Sequence, residues 1–226
     1  MNPRNSKTLS RVAVLLTSFF CGVVNAAPVT FDIVFHNSTY EVDSGDSFHD
    51  LVDAHNDGSL ISSTSVTTFE GVDTSLYAGS ISGDYSVMMT TTLNIAVAGD
   101  YHFQVGADWG GGGGVALTDT GSGTILNEYV TDENIWWGYN WNHGDVISTS
   151  YNLGVGSYTL TWLGFEDCCA GSSDVRFAYG TGAYQALNLT NITPYVVPVP
   201  ASVWLFGSTL VAMAGWRRRR DSRAVV

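Results

Sequence analysis

The side chains best suited to chemistry in this chain are aromatic. The run Trp136-Trp137-Gly138-Tyr139-Asn140-Trp141-Asn142-His143 crowds four aromatic rings and two amides into eight residues. If the run is extended, Trp137, Tyr139 and Trp141 fall on one face. Flat rings stack on the apolar faces of sugars while amides bond to hydroxyls, so these three are candidate glycan contacts. Aromatics at period two also fill sandwich cores, and that reading stays open beside the first. Paired carboxylates could come from Glu128, Asp132, Glu133, Glu166 and Asp167, but an acidic chain supplies such pairs by chance. Neither a Gly-x-Ser-x-Gly elbow nor His-Glu-x-x-His is present, and the chain is expected not to be an enzyme.

Three further patterns could hold a ligand. Cys168 and Cys169 are adjacent, followed by Ala170 and Gly171. Neighbouring Cα atoms lie about 3.8 Å apart, below the usual disulfide range of about 4.4–6.8 Å, so a bond between them would strain the linking peptide. A strained vicinal disulfide, two free thiols, a bond to another molecule and metal ligation are the alternatives; no second cysteine pair completes a zinc set. Asp53-Ala54-His55-Asn56-Asp57-Gly58 places oxygen donors as a calcium loop does, but Thr64 stands where the bidentate Glu would be. An Asx-rich turn accounts for it better. Gly110 to Gly114 has no following Lys or helix to cradle phosphate and reads as a flexible or tightly turned surface loop.

The elements that must position these residues are strands. Short β-like runs separated by Gly, Asn, Asp and Ser predict strands at 29–35, 86–97, 101–106, 115–118, 124–130, 145–153, 158–165 and 174–179. The expected fold is all-β, an antiparallel β-sandwich, with one helix over Ser47–Ala54 behind a Ser or Asp cap. Two segments share one grammar. Leu93–Val97 runs through Gly99 into Tyr101, and Tyr151–Val155 runs through Gly156 into Tyr158. Each is expected to be a hairpin.

Charge divides the chain. The 226 residues carry a net charge of −12, yet the interior from Asp32 to Arg176 holds twenty acidic residues and a single basic one, Arg176 itself. Such a surface repels nucleic acid and anionic headgroups and attracts divalent cations, and it also keeps a protein soluble. The remaining basic residues lie near the ends. At the front, Arg4, Lys7 and Arg11 precede an apolar run from Val12 to Val24 and a small-residue end at Ala26. That pattern predicts a secretory signal peptide over 1–26, read by the Sec translocon. At the back, Val197-Pro198-Val199-Pro200-Ala201 precedes an apolar stretch over 202–216 and then Arg217, Arg218, Arg219 and Arg220.

This order of motif, apolar helix and basic cluster resembles the PEP-CTERM sorting signal in its Val-Pro-x-Pro-Ala form, over 196–221, with 222–226 as a short tail. The prolines keep Val197–Ala201 extended and deny it helical hydrogen bonds. About 15 apolar residues at about 1.5 Å each give roughly 22 Å, a marginal transmembrane helix against a hydrocarbon core of about 30 Å. The arginines hold that end in the cytoplasm. An ordinary stop-transfer anchor has the same design. The resemblance implies an exosortase as partner, a membrane-held precursor, and a final place at the surface or in the exopolysaccharide matrix of a Gram-negative bacterium.

The domain between, 27–195, is loosely similar to PA14 and GLEYA-type sandwiches, through the two Gly-Tyr segments above. In that superfamily a pair of aspartates often holds Ca²⁺ beside a sugar; the matching place here is Ala107-Asp108-Trp109-Gly110, so the resemblance implies Asp108 as a metal ligand and Ca²⁺ as a cofactor. Cys168-Cys169-x-Gly171 near such a tail is also similar to the CCXG family of PEP-CTERM proteins, a name for a pattern and not for an activity. An exported, non-catalytic, exopolysaccharide-associated surface protein is the expectation, with a calcium-dependent adhesin as the alternative and a secreted glycan hydrolase as a further one. The intact mass of the protein in its host should show both termini removed only when the exosortase is present. An unprocessed tail in the inner membrane under both conditions would overturn the sorting expectation.

Overall fold

A computed structural model describes residues 29–79, 81, 84–167 and 171–196. The strands are β1 (Thr30–Asn37), β2 (Leu60–Val66), β3 (Val72–Asp73), β4 (Tyr85–Ile95), β5 (Gly99–Trp109), β6 (Gly113–Asp119), β7 (Ile125–Thr131), β8 (Ile135–Trp136), β9 (Ile147–Leu153), β10 (Gly156–Glu166), β11 (Ser172–Tyr179) and β12 (Gln185–Ala186). The helices are α1 (Phe48–Asp57), α2 (Thr74–Tyr77) and α3 (Leu189–Val196). One sheet has the order β2-β1-β4-β10-β6-β7. The other runs β12-β11-β5-β8, with β9 also on β5 and β3 on β11. All pairings between these strands are antiparallel, which establishes the expected all-β class.

Strict alternation builds the core. Phe31, Ile33 and Phe35 on β1 point inward, as do Phe103 and Val105 on β5 and Val175 and Phe177 on β11. The two inner faces meet where the Phe103 and Trp162 rings stand 6.1 Å apart. Each such side chain contributes roughly 1.5–3 kcal/mol by leaving water.

Neither Gly-Tyr segment is a hairpin. β4 pairs with β1 and β10, and β5 pairs with β11, β8 and β9, so Ala96–Ala98 carries the chain from one sheet to the other. Gly154 and Val155 make the same crossing between β9 and β10. Linkers of two or three residues just reach across sheets packed about 10 Å apart. The crossings stack on one another, because β10 matches all eleven residues of β4 and β9 matches β5 from Gly99 to Val105. Tyr101 Oη donates to the Val97 carbonyl at 2.6 Å and Tyr179 Oη to that of Ala98 at 2.9 Å, which pins the first crossing.

Three further expectations change. Residues Asp53–Asp57 form the last turns of α1, not an Asx-rich turn, because Ser47 and Asp50 make a reciprocal capping box and Phe48, Leu51 and His55 bury one helical face. Gly110–Gly114 is tightly turned but largely buried, not a surface loop. Gly111 N–H donates to the Phe165 carbonyl, and the Trp109 ring occupies the space a side chain on Gly113 or Gly164 would need. β2, α2 and α3 were not anticipated; α3 forms around Pro194 because Ile192 and Val196 reach the core. The signal peptide, the sorting motif, the transmembrane segment and the cysteine pair lie outside the described residues. No helix among those described is long and apolar enough to cross a membrane.

Helix α1 lies on the outer face of the larger sheet, where Phe48 and Leu51 pack with Val42, Ala116, Leu163 and Phe165. Its His55 is fully buried, its Nδ1 is 2.7 Å from Ser86 Oγ, and its ring is stacked on His36 at 4.2 Å. Burial, with the neighbouring His36, lowers its pKa from 6.5 to about 4. The unfolded chain therefore binds a proton at His55 more readily between those values, and stability is lost as pH falls from 6.5 toward 4. Urea titrations over pH 7 to 4.5 should show this loss, and His55→Gln should flatten it. An unchanged slope in the variant would place the effect elsewhere.

Candidate functional site

The outer face of the smaller sheet is built from the outward residues of β5, β9 and β11. On one side of it, short polar pairs cross between strands: His102 with Ser150 at 2.7 Å, Gln104 with Ser148 at 3.0 Å, and Asp100 with Asn152 at 2.6 Å. On the other side the aromatic run folds over the sheet. It is not extended. β8 ends at Trp136, and Gly138 and Tyr139 both take positive φ, 57° and 56°, which turns the chain back. Asn140 N–H to the Trp137 carbonyl and His143 N–H to that of Asn140 close successive turns.

That path gathers the rings in a different way from the strand expected. Trp137 is buried, lying against Gly106, where any side chain would collide with its indole. Tyr139 stands 5.3 Å from it and Trp141 meets it edge-on at 4.6 Å. Tyr139 is 73% exposed, and its hydroxyl is 2.9 Å from Ser172 Oγ on β11. So the three sequence-identified rings do come together, with Trp137 as the buried support and Tyr139 as the outermost ring.

The stripe continues across β11. The Arg176 guanidinium lies over Trp141 at 4.2 Å and over Tyr184 at 4.6 Å, while its Nε donates to Gln104 Oε1 at 2.8 Å. Stacking of this kind contributes about 0.5–2 kcal/mol per ring, more as water is excluded. Glu70, Trp141, Asp174, Arg176, Tyr184 and Gln185 line a cleft of about 200 Å³. Asp174 accepts from Gly71 N–H, and burial raises its pKa above the usual carboxylate value, with Glu70 adding to the rise. The cleft thus offers ring faces, acceptors and one fixed cation.

Asp108 sits at the end of the same face, directly across from Trp136, which is 57% exposed. Directly opposed residues of an antiparallel pair share a face, and Trp109 and Ile135, one step on, both point into the core. Burial raises the Asp108 pKa. The next residue, Trp109, faces inward, and among the described residues no three His, Cys, Asp or Glu side chains come together to hold a metal. Cys168 and Cys169 lie outside the described residues; the chain on their far side is held by Gly171, whose N–H donates to Tyr85 Oη at 3.0 Å.

Reasoning from sequence missed Trp136, Asp174, Arg176 and Tyr184 as members of this face. The one available signal was Arg176, the lone basic residue of an acidic interior.

A comparison with models of known protein families finds no match, and a search of curated proteins finds none either. Among solved structures, a PA14 sugar-binding domain from an RTX adhesin is similar at 14% identity, over 76% of this chain and 99% of that one, with a TM-score of 0.46. The Epithelial Adhesin 9 A domain from Candida glabrata, in complex with Galb1-3GlcNAc, is similar at 10% identity, over 76% and 90%, with a TM-score of 0.49. The PA14 domain of the MpAFP antifreeze protein is similar at 10%, over 73% and 90%, with a TM-score of 0.48. At such identities no site residue transfers from them.

The seat of Trp137 is the point on which the face depends. Gly106→Val should displace the indole and loosen the turn, seen as a red-shifted, weaker-structured tryptophan signal in fluorescence and near-ultraviolet circular dichroism. Unchanged spectra would show that the turn holds itself without that seat.

Proposed function

We propose that this chain is an exported, non-catalytic carbohydrate-binding protein of the bacterial surface or its exopolysaccharide matrix, with the sugar held on the outer face of the smaller sheet. The observation that carries the reading is the aromatic stripe from Tyr139 through Trp141 to Tyr184, bordered by carboxylates and an amide. A pyranose presents an apolar face and a rim of hydroxyls, and this stripe presents ring faces with Asp174, Glu70 and Gln185 at their edge. The cleft is smaller than the roughly 300–1,000 Å³ of a drug-sized pocket, which suits one sugar unit of a chain that continues over the open surface. Delivery is assigned to the N-terminal signal and to exosortase handling of Val197–Ala201, the apolar segment and Arg217–Arg220, on the order of those parts in the sequence.

The test is a titration of the purified protein with a panel of oligosaccharides that includes fragments of the host's own exopolysaccharide, followed by tryptophan fluorescence or calorimetry. Tyr184→Ala and Tyr139→Ala, both at exposed positions, should each weaken binding about tenfold, equivalent to about 1.4 kcal/mol, with melting temperature little changed. Full affinity in both variants would move the site off this stripe, and a panel without a single binder would end the carbohydrate reading.

A further inference from the structure

We propose that the Arg176 cleft is a subsite for an acidic sugar, one whose ring carries a carboxylate such as a uronic acid. This rests on the carbohydrate-binding reading above and names the class of unit that the stripe selects.

The reason lies in how the only cation of the described residues is held. Arg176 is the single Lys or Arg between Arg11 and Arg217 within a strongly acidic domain, yet no carboxylate among the described residues pairs with it. Its Nε is spent on Gln104, and its two terminal nitrogens have no protein acceptor there. The Trp141 and Tyr184 rings both pack against the guanidinium, and burial works against its charge, as the lowering of its pKa shows. A cation placed only to hold the loop would gain more from a neighbouring carboxylate. Asp174 is two residues away on the same strand face, but accepts from Gly71 N–H instead.

A planar guanidinium with its fork left open fits a planar carboxylate through two parallel N–H···O bonds, a geometry that a point charge cannot offer. The fork is pre-oriented, so little further ordering is lost on binding. Asp174 and Glu70, on the rim, then face the hydroxyls rather than the acid group, because a carboxylate accepts from them and repels another carboxylate. The result is a pocket with one place for an anion and acceptors elsewhere, which discriminates a singly acidic pyranose from both a neutral one and a heavily charged one.

The experiment compares a uronic-acid oligosaccharide with the same oligosaccharide after chemical reduction of its carboxylates to hydroxymethyl groups, so that ring geometry and linkage are matched. The purified protein should bind the acidic form at least tenfold more tightly. In Arg176→Gln that ratio should fall to about one, whatever both affinities lose in common, and Arg176→Lys, which keeps the charge and loses the fork, should recover only a small part of it. Melting temperatures of the variants check that the fold persists. Equal affinity of the unaltered protein for both oligosaccharides, or a preference that survives in Arg176→Gln, overturns the acidic subsite while leaving carbohydrate binding in place. Binding of neither oligosaccharide, nor of any other sugar in the panel, overturns both.

Discussion

The antiparallel stacking of two sheet crossings, β4 to β5 and β9 to β10, is the constraint on which the rest of the molecule depends. Each crossing ties the two sheets at one edge of the core, and because β4 lies along β10 and β5 along β9, neither crossing can form its full set of backbone bonds without the other. These contacts join residues between 42 and 81 positions apart, so loop-closure entropy must be met before they form. Once made, they place the inward aromatics of both sheets in register, Phe103 over Trp162 among them, and they fix which residues of β5 and β11 look outward.

The two outer faces are then covered in different ways. On the larger sheet, α1 supplies an amphipathic helix whose Phe48 and Leu51 complete a small second core. On the smaller sheet no helix among the described residues does this, and the turn after β8 takes that place with Trp137 set on Gly106. A turn covers less than a helix does. Tyr139, Trp136 and the edge of Tyr184 stay open to solvent, and the polar ladder of His102, Gln104 and Asp100 continues beside them. An aromatic cover that is half buried and half exposed leaves ring faces open beside a buried support, the feature on which the proposed sugar binding rests.

Much of this is legible in the sequence. The alternation of apolar residues placed most of the long strands within a few residues, and the Ser47 cap with its apolar face gave the helix. The Ser- and Thr-rich β2 was invisible because its pattern is polar on both sides, and its pairing with β1 comes from the neighbour, not from its own residues. The Gly-Tyr segments were misread as hairpins for a related reason. A glycine turn between two strands reports that the chain reverses, not whether it returns in the same sheet or in the one opposite.

By itself the sequence determined the β class, the acidic interior, the density of aromatics at 136–143 and the order of basic and apolar segments at the two ends, because composition and short-range periodicity carry that information directly. Only the tertiary structure decided that Trp137 is a support while Trp136 and Tyr139 are surface, that Asp108 lies across from a tryptophan, and that Arg176 joins Trp141 across thirty-five residues of chain. The physical reason is that these relations depend on sheet register and on positive φ at Gly138 and Tyr139. Both are settled by partners far away in the chain, and no local pattern records them.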